Sequence, residues 1–356
     1  MMSTPAFHRI LLACALIPLN AMSVTMDFVT VGNPGNAADP ANSGSIPGIG
    51  AVNATFGIGT YEVTDSQYAE FLNKVDGTGA NPLGLYDSQM GSTAWGGILF
   101  NPAASVGSKY SVRPGFGNMP VVYVSFFDAV RFTNWLHNGQ GSGGTETGAY
   151  TLSGGTTTPA NAVSVTRNSG AQFWLPSESE WYKAAYFQPA GLGGDSDNYW
   201  QYPMRTNLQP FSDQPPGVTP DNTRVGNFFA SDSLPNGYDD GYAATGSLTI
   251  DGVQNNLTAA GAYTLSKSFF GTFDQGGNVA EWNDTTDGIG GREVRGGSWD
   301  VTELFQRASF RLFLDQSDSG SGNAFGFRVA TVPEPASLGM VLFGALCLAS
   351  RRKQRA

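Results

Sequence analysis

The sequence predicts an α+β domain that is rich in loops and poor in regular secondary structure. Only three segments have strong helical patterns in roughly 300 residues, and the candidate strands between them are short and interrupted by glycine. The longest connecting stretches carry many Gly, Ser, Asn and Pro residues and no sustained hydrophobic period. Loops of this length usually need bound ions or a function to order them.

The chain enters this domain through an extended segment. Residues 26–57 are rich in Gly, Ala, Asn and Pro and contain an early strand pattern, MDFVTVG, and a second short strand is predicted over 58–63. The first helix is predicted to follow Thr64, because Gln67 stands three residues later in capping-box spacing. Apolar residues recur at helical intervals and form its predicted buried face, which consists of Tyr68, Phe71, Leu72 and Val75.

The second helix follows a short apolar run, MPVVYV. It is predicted to begin after Ser125, with Asp128 at the third position, and to end before Gly139. His137 lies in the last turn, where the helix dipole favours a histidine. The buried face consists of Ala129, Phe132, Trp135 and Leu136.

A third helix is predicted after Ser177, which has Glu180 as its reciprocal capping partner. Its apolar residues are Trp181, Ala184 and Ala185. The connections between the helices are long. Residues 76–118 are predicted as loops, and residues 139–170 as an insertion with at most a weak hairpin.

Both ends of the chain have the layout of targeting segments. Residues 1–25 contain one arginine, an apolar run and small residues near the end, which is typical of a secretory signal peptide. Residues 332–356 join Pro-Glu-Pro to about fifteen mostly apolar residues and a basic terminus. This layout resembles the PEP-CTERM sorting signal that bacterial exosortases recognise. We therefore expect a protein exported to the cell envelope or surface, or secreted, in a Gram-negative bacterium, with the exosortase machinery as a partner.

Residues 26–331 are predicted to form one strongly acidic domain. They include 14 basic and 28 acidic residues, so the net charge is about −14. Such a charge argues against nucleic acid and against anionic membrane surfaces as partners.

Cysteine and histidine usage excludes several kinds of site. Both cysteines, Cys14 and Cys347, lie in the terminal segments, so the domain between them has no disulfide, no zinc thiolate site and no cysteine nucleophile. The one histidine of the domain is His137. A single histidine cannot build a three-histidine iron site or a zinc hydrolase site.

The stretch least like a plain helix or strand is residues 271–299, GTFDQGGNVAEWNDTTDGIGGREVRGGSW. Oxygen-bearing side chains crowd into it, and Gly276 and Gly277 allow backbone carbonyl groups to turn inward. Hard oxygen ligands of this kind suit Ca²⁺. The alternative is an ordinary polar turn that leads into a half-buried Trp282. The oxygen-bearing residues are Asp274, Asn278, Glu281, Asn283 and Asp284.

Six motifs occur along the chain in the order YEVTDSQYAEFLN, MPVVYVSFFDAVRFTNWL, FWLPSESEW, GGNVAEW, VRGGSW and FGFRVA. Their order and spacing resemble those of the formylglycine-generating enzyme family, also called the sulfatase-modifying factor domain, over residues 50–330. The resemblance implies a variant of the C-type lectin-like fold, which has little regular secondary structure.

The resemblance also implies Ca²⁺ as a structural cofactor. In the family, one ion is held by the loop that contains Gly-Asn-Val-x-Glu-Trp, and a second by an Asn-aromatic pair and an Asp-Gly-aromatic loop. Clustering of carboxylates in an acidic protein is the competing interpretation. The first ligand set here would consist of Asp274, Glu281 and the carbonyl groups of Gly277 and Val279. The second would consist of Asn227, Phe228, Asp240 and Tyr242.

The oxidase chemistry of the family does not carry over to this chain. The oxidase needs two cysteines after Gly-Gly-Ser-aromatic, because thiolates hold Cu(I) and one of them reacts with the substrate thiol. Counting from residues 296–299, these positions are Val301 and Gln306, and neither side chain is a copper ligand or a nucleophile. The related iron-dependent branch, which uses histidine-bound iron, also lacks its ligands. We therefore expect neither copper nor iron.

Two functions remain open. The first is a non-catalytic, calcium-stabilised surface module that binds glycan, exopolysaccharide or a surface protein through a groove with an exposed indole. The second is an enzyme of altered chemistry in the same groove, with Glu281, Asp300 or Glu303 as acid and base. An active formylglycine oxidase is the remaining alternative. The predicted groove residues are Trp282, Trp299 and Arg311.

Overall fold

The computed structural model describes residues 23–317 and 322–333, so the predicted signal peptide and sorting segment lie almost entirely outside the described residues. Within them, short strands and helices are separated by long loops, which confirms the predicted loop-rich α+β class. The helices are α1 Asp65–Val75, α2 Gln89–Ser92, α3 Phe126–His137 and α4 Glu178–Tyr186. The strands are β1 Phe28–Val31, β2 Phe56–Gly59, β3 Ile98–Phe100, β4 Tyr110–Val112, β5 Phe173–Trp174, β6 Phe211–Ser212, β7 Val225–Gly226, β8 Phe229–Ser231, β9 Asp240–Tyr242, β10 Ala280–Thr286, β11 Gly291–Arg295, β12 Leu312–Asp315, β13 Phe325–Gly326 and β14 Ala330–Thr331.

A four-stranded sheet joins the beginning and the end of the described domain. Its order is β1, β2, β14, β5, and β14 runs antiparallel to both of its neighbours. Ala330 of β14 is paired with Ile58 on one side and with Trp174 on the other. The last described strand therefore lies inside the sheet rather than at its edge.

A second four-stranded sheet, in the order β12, β11, β10, β13, contains the stretch that the sequence singles out. β10 and β11 are antiparallel, with Glu281 opposite Arg295 and Trp282 opposite Val294, and the register becomes irregular after Trp282. β13 runs parallel to β10 and places Gly326 beside Glu281. The polar loop before β10 is therefore anchored to a buried sheet. Three two-stranded pairs, β3 with β4, β6 with β7 and β8 with β9, complete the described sheets.

The three helices predicted from the sequence are present as α1, α3 and α4, and each begins at its predicted cap. The side chains of Thr64, Ser125 and Ser177 accept a hydrogen bond from the backbone N–H three residues later, and the side chain of that residue accepts one from the cap N–H in return. His137 is the last residue of α3, and its Nδ1 accepts a hydrogen bond from the backbone N–H of Gln172 at 3.0 Å.

Two stretches differ from the prediction. Residues 76–118, expected to be loops, contain α2 and the hairpin of β3 and β4. The hairpin escapes a search for alternating apolar residues because its strands have three residues each and are partly exposed. The weak hairpin expected within 139–170 is reduced to one isolated bridge between Tyr150 and Arg167.

The core has two clusters of aromatic side chains. In the larger one, α1 and α3 pack through Phe71, whose ring centroid lies 5.4 Å from those of both Phe132 and Trp135. The smaller cluster lies around α4 and fixes the surrounding loops. Its buried members are Ile49, Trp181, Tyr182, Ala185, Tyr186, Phe187, Tyr199 and Ala308. No helix in the described part of the chain is long and apolar enough to cross a lipid bilayer.

Candidate functional site

The two loops with predicted calcium ligands are hydrogen-bonded to each other. The backbone N–H of Asn278 donates to the Asn227 carbonyl oxygen at 2.7 Å, and Asn227 Nδ2 donates to Asn278 Oδ1 at 3.0 Å. Gly277 has a φ of +96°, and a Cβ at this position would collide with the Asn227 backbone. A glycine is therefore required where the loops cross.

Four charged side chains are buried beneath this crossing: Glu62, Asp274, Glu281 and Arg328, here called the Arg328 cluster. Arg328 holds Glu281 through two hydrogen bonds, Nε to Oε2 at 2.5 Å and a terminal nitrogen to Oε1 at 2.6 Å. The Trp181 indole N–H also donates to Glu281 Oε2, at 2.7 Å. The cluster thus has three carboxyl groups and one guanidinium group.

This imbalance changes the protonation of the carboxyl groups. Burial, followed by the charges of Asp274 and Glu281, raises the pKa of Glu62 well above its usual range. Burial raises the pKa of Asp274 to about 6, although the backbone N–H of Gly261 donates to its carboxylate. Arg328 alone cannot compensate three buried carboxylates, so the cluster must take up protons or a cation.

A second buried cluster has equal numbers of acids and bases: Glu178, Glu293, Arg295 and Arg311, here called the Arg295 cluster. Arg295 contacts Glu178 at 2.5 Å and Glu293 at 2.8 Å, and Arg311 contacts the same two residues at 2.5 and 3.4 Å. Burial and a hydrogen bond with Glu178 raise the pKa of Glu293. Burial alone would also raise the pKa of Glu178, but its bonds to Glu293, Arg295 and Arg311 lower it.

The first predicted calcium set fits a cation in part. Val279 is fully buried and Gly277 is buried, and no donor among the described residues reaches either carbonyl oxygen. Buried carbonyl groups normally have a partner, so this pair is open to an ion. Asp274 carries the raised pKa that a nearby cation would reverse. Glu281 already receives three hydrogen bonds and would have to share its carboxylate with Arg328.

The second predicted set is supported by one atom. Asn227 Oδ1 is buried and has no hydrogen-bond partner among the described residues. The Phe228 carbonyl oxygen, however, accepts bonds from Ser212 and Ala243, and the Tyr242 carbonyl oxygen accepts bonds from two backbone N–H groups. Asp240 accepts a bond from Gly237 N–H at 2.8 Å. Both lone pairs of each carbonyl group are thus in use, which leaves less for an ion. Across the described residues, no three His, Cys, Asp or Glu side chains are placed together to hold a metal, so an ion must draw on carbonyl and amide oxygens.

The groove predicted around Trp282, Trp299 and Arg311 is wrong in one respect, because neither indole is exposed. Trp282 is 0% exposed and donates its indole N–H to the Val124 carbonyl oxygen at 3.0 Å. Trp299 is 1% exposed and donates to the Asn323 carbonyl oxygen at 3.0 Å. Arg311 is partly exposed, but its guanidinium group is paired with Glu178 and Glu293.

The accessible aromatic surface near Trp299 belongs to Trp95, which the sequence does not single out, and to Tyr242, which it predicts as a calcium ligand only. Trp95 stacks on Trp299 with a centroid distance of 5.6 Å and an interplanar angle of 17°, and Tyr242 lies against Trp299 at 5.6 Å. Both outer rings are half-buried. An isolated tryptophan in the glycine- and serine-rich run around Trp95 was the available signal, because such loops have no core of their own to bury an indole.

The positions that would be cysteine in an oxidase are also resolved. Val301 is half-buried, and its carbonyl oxygen accepts a bond from Phe229 N–H at 2.9 Å. Gln306 is 0% exposed, and neither end of its side-chain amide has a partner among the described residues. The expectation that Glu281 serves as an acid or base in an open groove is wrong, because the residue is fully buried and paired with Arg328. Of the other two candidates, Asp300 is exposed and Glu303 is half-buried.

Comparisons with known proteins agree with the motifs. The family model described as the sulfatase-modifying factor enzyme 1-like domain matches residues 25–332, and the PEP-CTERM protein-sorting motif matches residues 331–353. The sorting motif indicates export to the cell envelope of a Gram-negative bacterium and recognition by the exosortase machinery. No curated protein matches the sequence.

Three solved structures are similar at low identity. CarF is 19% identical with a TM-score of 0.48, and the match covers 87% of this chain and 99% of that one. Treponema denticola variable protein 1 is 18% identical with a TM-score of 0.45, covering 87% and 96%. PvdO from Pseudomonas aeruginosa is 17% identical with a TM-score of 0.42, covering 86% and 92%.

The family model spans nearly the whole of the described chain and includes all six motifs from which the resemblance was inferred. The chain belongs to the sulfatase-modifying factor enzyme 1-like family.

Proposed function

We propose that the mature protein is a calcium-stabilised binding module at the cell surface and that it does not oxidise thiols. The observation that carries this proposal is the identity of two residues, Val301 and Gln306, at the positions where the oxidase needs cysteine. No cysteine occurs between residues 26 and 331, so the domain cannot supply a thiolate to copper or to a substrate thiol from any other position.

Calcium has a structural role in this proposal. The ion would be held at the first loop by the Asp274 carboxylate, the Gly277 and Val279 carbonyl oxygens and a shared Glu281 carboxylate. It would supply the positive charge that the Arg328 cluster lacks. The unpartnered Asn227 Oδ1 supports a second ion more weakly. The metal would stabilise the fold, because it would compensate carboxyl groups that a single guanidinium group leaves unpaired.

A binding role fits the surface better than an acid-base mechanism does. The domain is exported, acidic and free of cysteine, and its partners would be a glycan, an exopolysaccharide or another surface protein. Of the three carboxylates considered as acid and base, Glu281 is buried in an ion pair. Trp95 and Tyr242 provide aromatic contact area where Trp299 does not.

The proposal is tested on the purified protein comprising residues 26–331. Metal analysis should find calcium and neither copper nor iron. Incubation with a cysteine-containing sulfatase peptide and copper should leave the peptide unchanged in mass spectrometry. Loss of sulfur from the peptide, the mark of formylglycine, would overturn the proposal of a non-oxidising domain. Bound copper or iron at one ion per chain would overturn the assignment of calcium.

A further inference from the structure

A cavity of about 350 Å³ lies beside the smaller aromatic cluster. Three segments enclose it: the turn at 39–42, the stretch 195–207 and the pair Ala308 and Ser309. None of the residues in the predicted calcium sets lines it. It is therefore a separate feature of the surface.

The lining of this cavity is rich in hydrogen-bond acceptors. Its polar side chains are carboxylates, amides, two hydroxyls and one indole, and no Lys, Arg or His is among the lining residues. Asp39 is already satisfied, because it accepts bonds from Ala41 N–H at 2.7 Å, from Asn42 Nδ2 at 2.9 Å and from the Tyr182 hydroxyl at 2.5 Å. The carboxylates only accept hydrogen bonds, so a ligand that brings donors is favoured here, and a negative charge on it would be repelled. Besides Asp39 and the Trp200 indole, the polar side chains are Asn42, Asp195, Asp197, Tyr199, Gln201, Asn207 and Ser309.

Several of these groups are held in fixed positions. Asp195 accepts a bond from Asn207 Nδ2 at 2.8 Å, and Asn207 Oδ1 accepts one from Gln201 N–H at 2.9 Å. Asp197 Oδ1 accepts a bond from Tyr199 N–H at 2.9 Å, whereas its Oδ2 accepts none from the described residues. One oxygen of Asp197 is thus anchored and the other is available, an arrangement that reduces the entropy lost on binding.

An indole lies next to these acceptors. Trp200 is half-buried and donates its N–H to Gln188 Oε1 at 3.0 Å, which fixes the ring and uses its only donor. Beneath it, Tyr199 is packed between Tyr182 and Phe187, with centroid distances of 5.8 and 5.2 Å. The aromatic floor is therefore rigid, and what Trp200 offers a ligand is apolar ring surface.

We infer that this cavity binds a neutral sugar, one pyranose unit of a glycan. A pyranose presents several hydroxyl donors at its edge and an apolar face of C–H groups, which matches acceptors beside an indole. A volume of about 350 Å³ lies at the lower end of the range of small-ligand sites. The inference rests on the proposed binding role, since it gives that role a ligand class and a location. A small polyamine is the competing ligand, because ammonium groups are also donors.

The test uses residues 26–331 and saturation-transfer NMR with three probes: a mixture of neutral methyl pyranosides, glucuronate and spermidine. We expect transfer to a neutral pyranoside and none to glucuronate. Trp200→Ala and Asp197→Asn should each weaken binding by about tenfold. Asp197→Asn keeps the oxygen that accepts from Tyr199, so its folding should be unaffected. Asp251→Asn, a charge change on an exposed loop far along the chain from the cavity, is the matched control and should bind like the parent.

Two results would overturn the inference. One is absence of transfer to every neutral pyranoside, with or without transfer to spermidine. The other is transfer that persists unchanged in both cavity variants while their melting curves match that of the parent. Calcium content and peptide oxidation are measured separately, so a failure of sugar binding is distinguishable from a failure of the proposed function.

Discussion

The two buried ion clusters differ in one respect, which is whether the chain supplies enough positive charge. In the Arg295 cluster, two arginines face two glutamates, and every described charge has a partner of opposite sign within 3.4 Å. In the Arg328 cluster, one arginine faces three carboxyl groups. Both lie close to the second sheet and both are desolvated. The comparison teaches that burial of charge alone does not favour an ion, and that the proposed calcium depends on the carboxyl groups that the chain leaves uncompensated.

The largest expected effect is on the stability of the Arg328 cluster. Arg328→Met should lower the free energy of unfolding by about 3–5 kcal/mol, because it leaves buried carboxylates without a partner. The matched change, Arg311→Met, should cost about 1 kcal/mol, because Arg311 is partly exposed and Arg295 still holds both glutamates. Urea unfolding of both variants gives the two values. Equal losses would show that the clusters do not differ in the way proposed.

Calcium should act on one cluster and leave the other unaffected. A ligand that binds only the native state at a hundredfold excess over its Kd adds about 2.7 kcal/mol to stability, so chelation should lower the melting temperature. Glu281→Gln should reproduce part of that loss. Glu293→Gln, in the Arg295 cluster, should leave the response to calcium unchanged. A melting curve indifferent to both chelation and Glu281→Gln would contradict the assignment of calcium.

Stability should also depend on pH through carboxyl groups outside both clusters. Burial raises the pKa of Asp128 and of Asp284 to about 6. A group whose pKa is raised by folding contributes its full stabilisation below the pKa of the unfolded chain, and that contribution is lost as pH rises through the folded-state pKa. Raising the pH from 5 to 7 deprotonates both groups, and we expect each deprotonation to lower the free energy of unfolding by about 1 kcal/mol. Urea unfolding at both pH values measures how the free energy of unfolding depends on pH. Asp284→Asn should remove the contribution of Asp284 and leave that of Asp128. A slope that Asp284→Asn leaves intact would count against the raised pKa of Asp284.

The smallest expected effect is the loss of a helix cap, and it should be of similar size beside the Arg328 cluster and beside the Arg295 cluster. Thr64 caps the helix that follows Glu62, and Ser177 caps the helix whose first residue is Glu178. Thr64→Ala and Ser177→Ala should each cost about 1 kcal/mol, because each leaves backbone N–H groups of the first turn without a partner. Unfolding of the two variants under one condition checks this. A large difference between them would mean that the caps, too, depend on the neighbouring charges.

Local features of the sequence were enough to predict the helices. A cap and its reciprocal partner are three residues apart, so Thr64, Ser125 and Ser177 could be assigned without knowledge of the fold. The α+β class followed from the three helical patterns and the short, glycine-interrupted strands, and the family followed from six ordered motifs over residues 50–330. The caps and the single motifs are local, whereas the order of the motifs is a property of the whole chain.

The site depended on contacts that no local pattern contains. From its loop alone, Glu281 is predicted to be available to an ion, but its partner Arg328 is 47 residues away and follows β13, the strand that pairs with β10. Trp299 looks exposed beside polar residues, but Trp95, some 200 positions earlier in the chain, covers it. The burial of an indole and the pairing of a carboxylate are decided by tertiary packing. Neither the Trp95–Trp299 contact nor the Arg328–Glu281 pair can be predicted from residues that are close in the sequence.

The position of β14 has a consequence for the order of events during export. Because Ala330 and Thr331 lie between β2 and β5, the first sheet cannot close until the end of the domain has been translocated. Strands this far apart along the chain pair slowly, because the entropy of closing a long loop is lost before the stabilising contacts form. The sorting motif begins at residue 331, where this strand ends. Completion of the fold is thereby tied to delivery of the segment that the sorting machinery reads, because the last strand of the sheet and the sorting motif meet at residue 331.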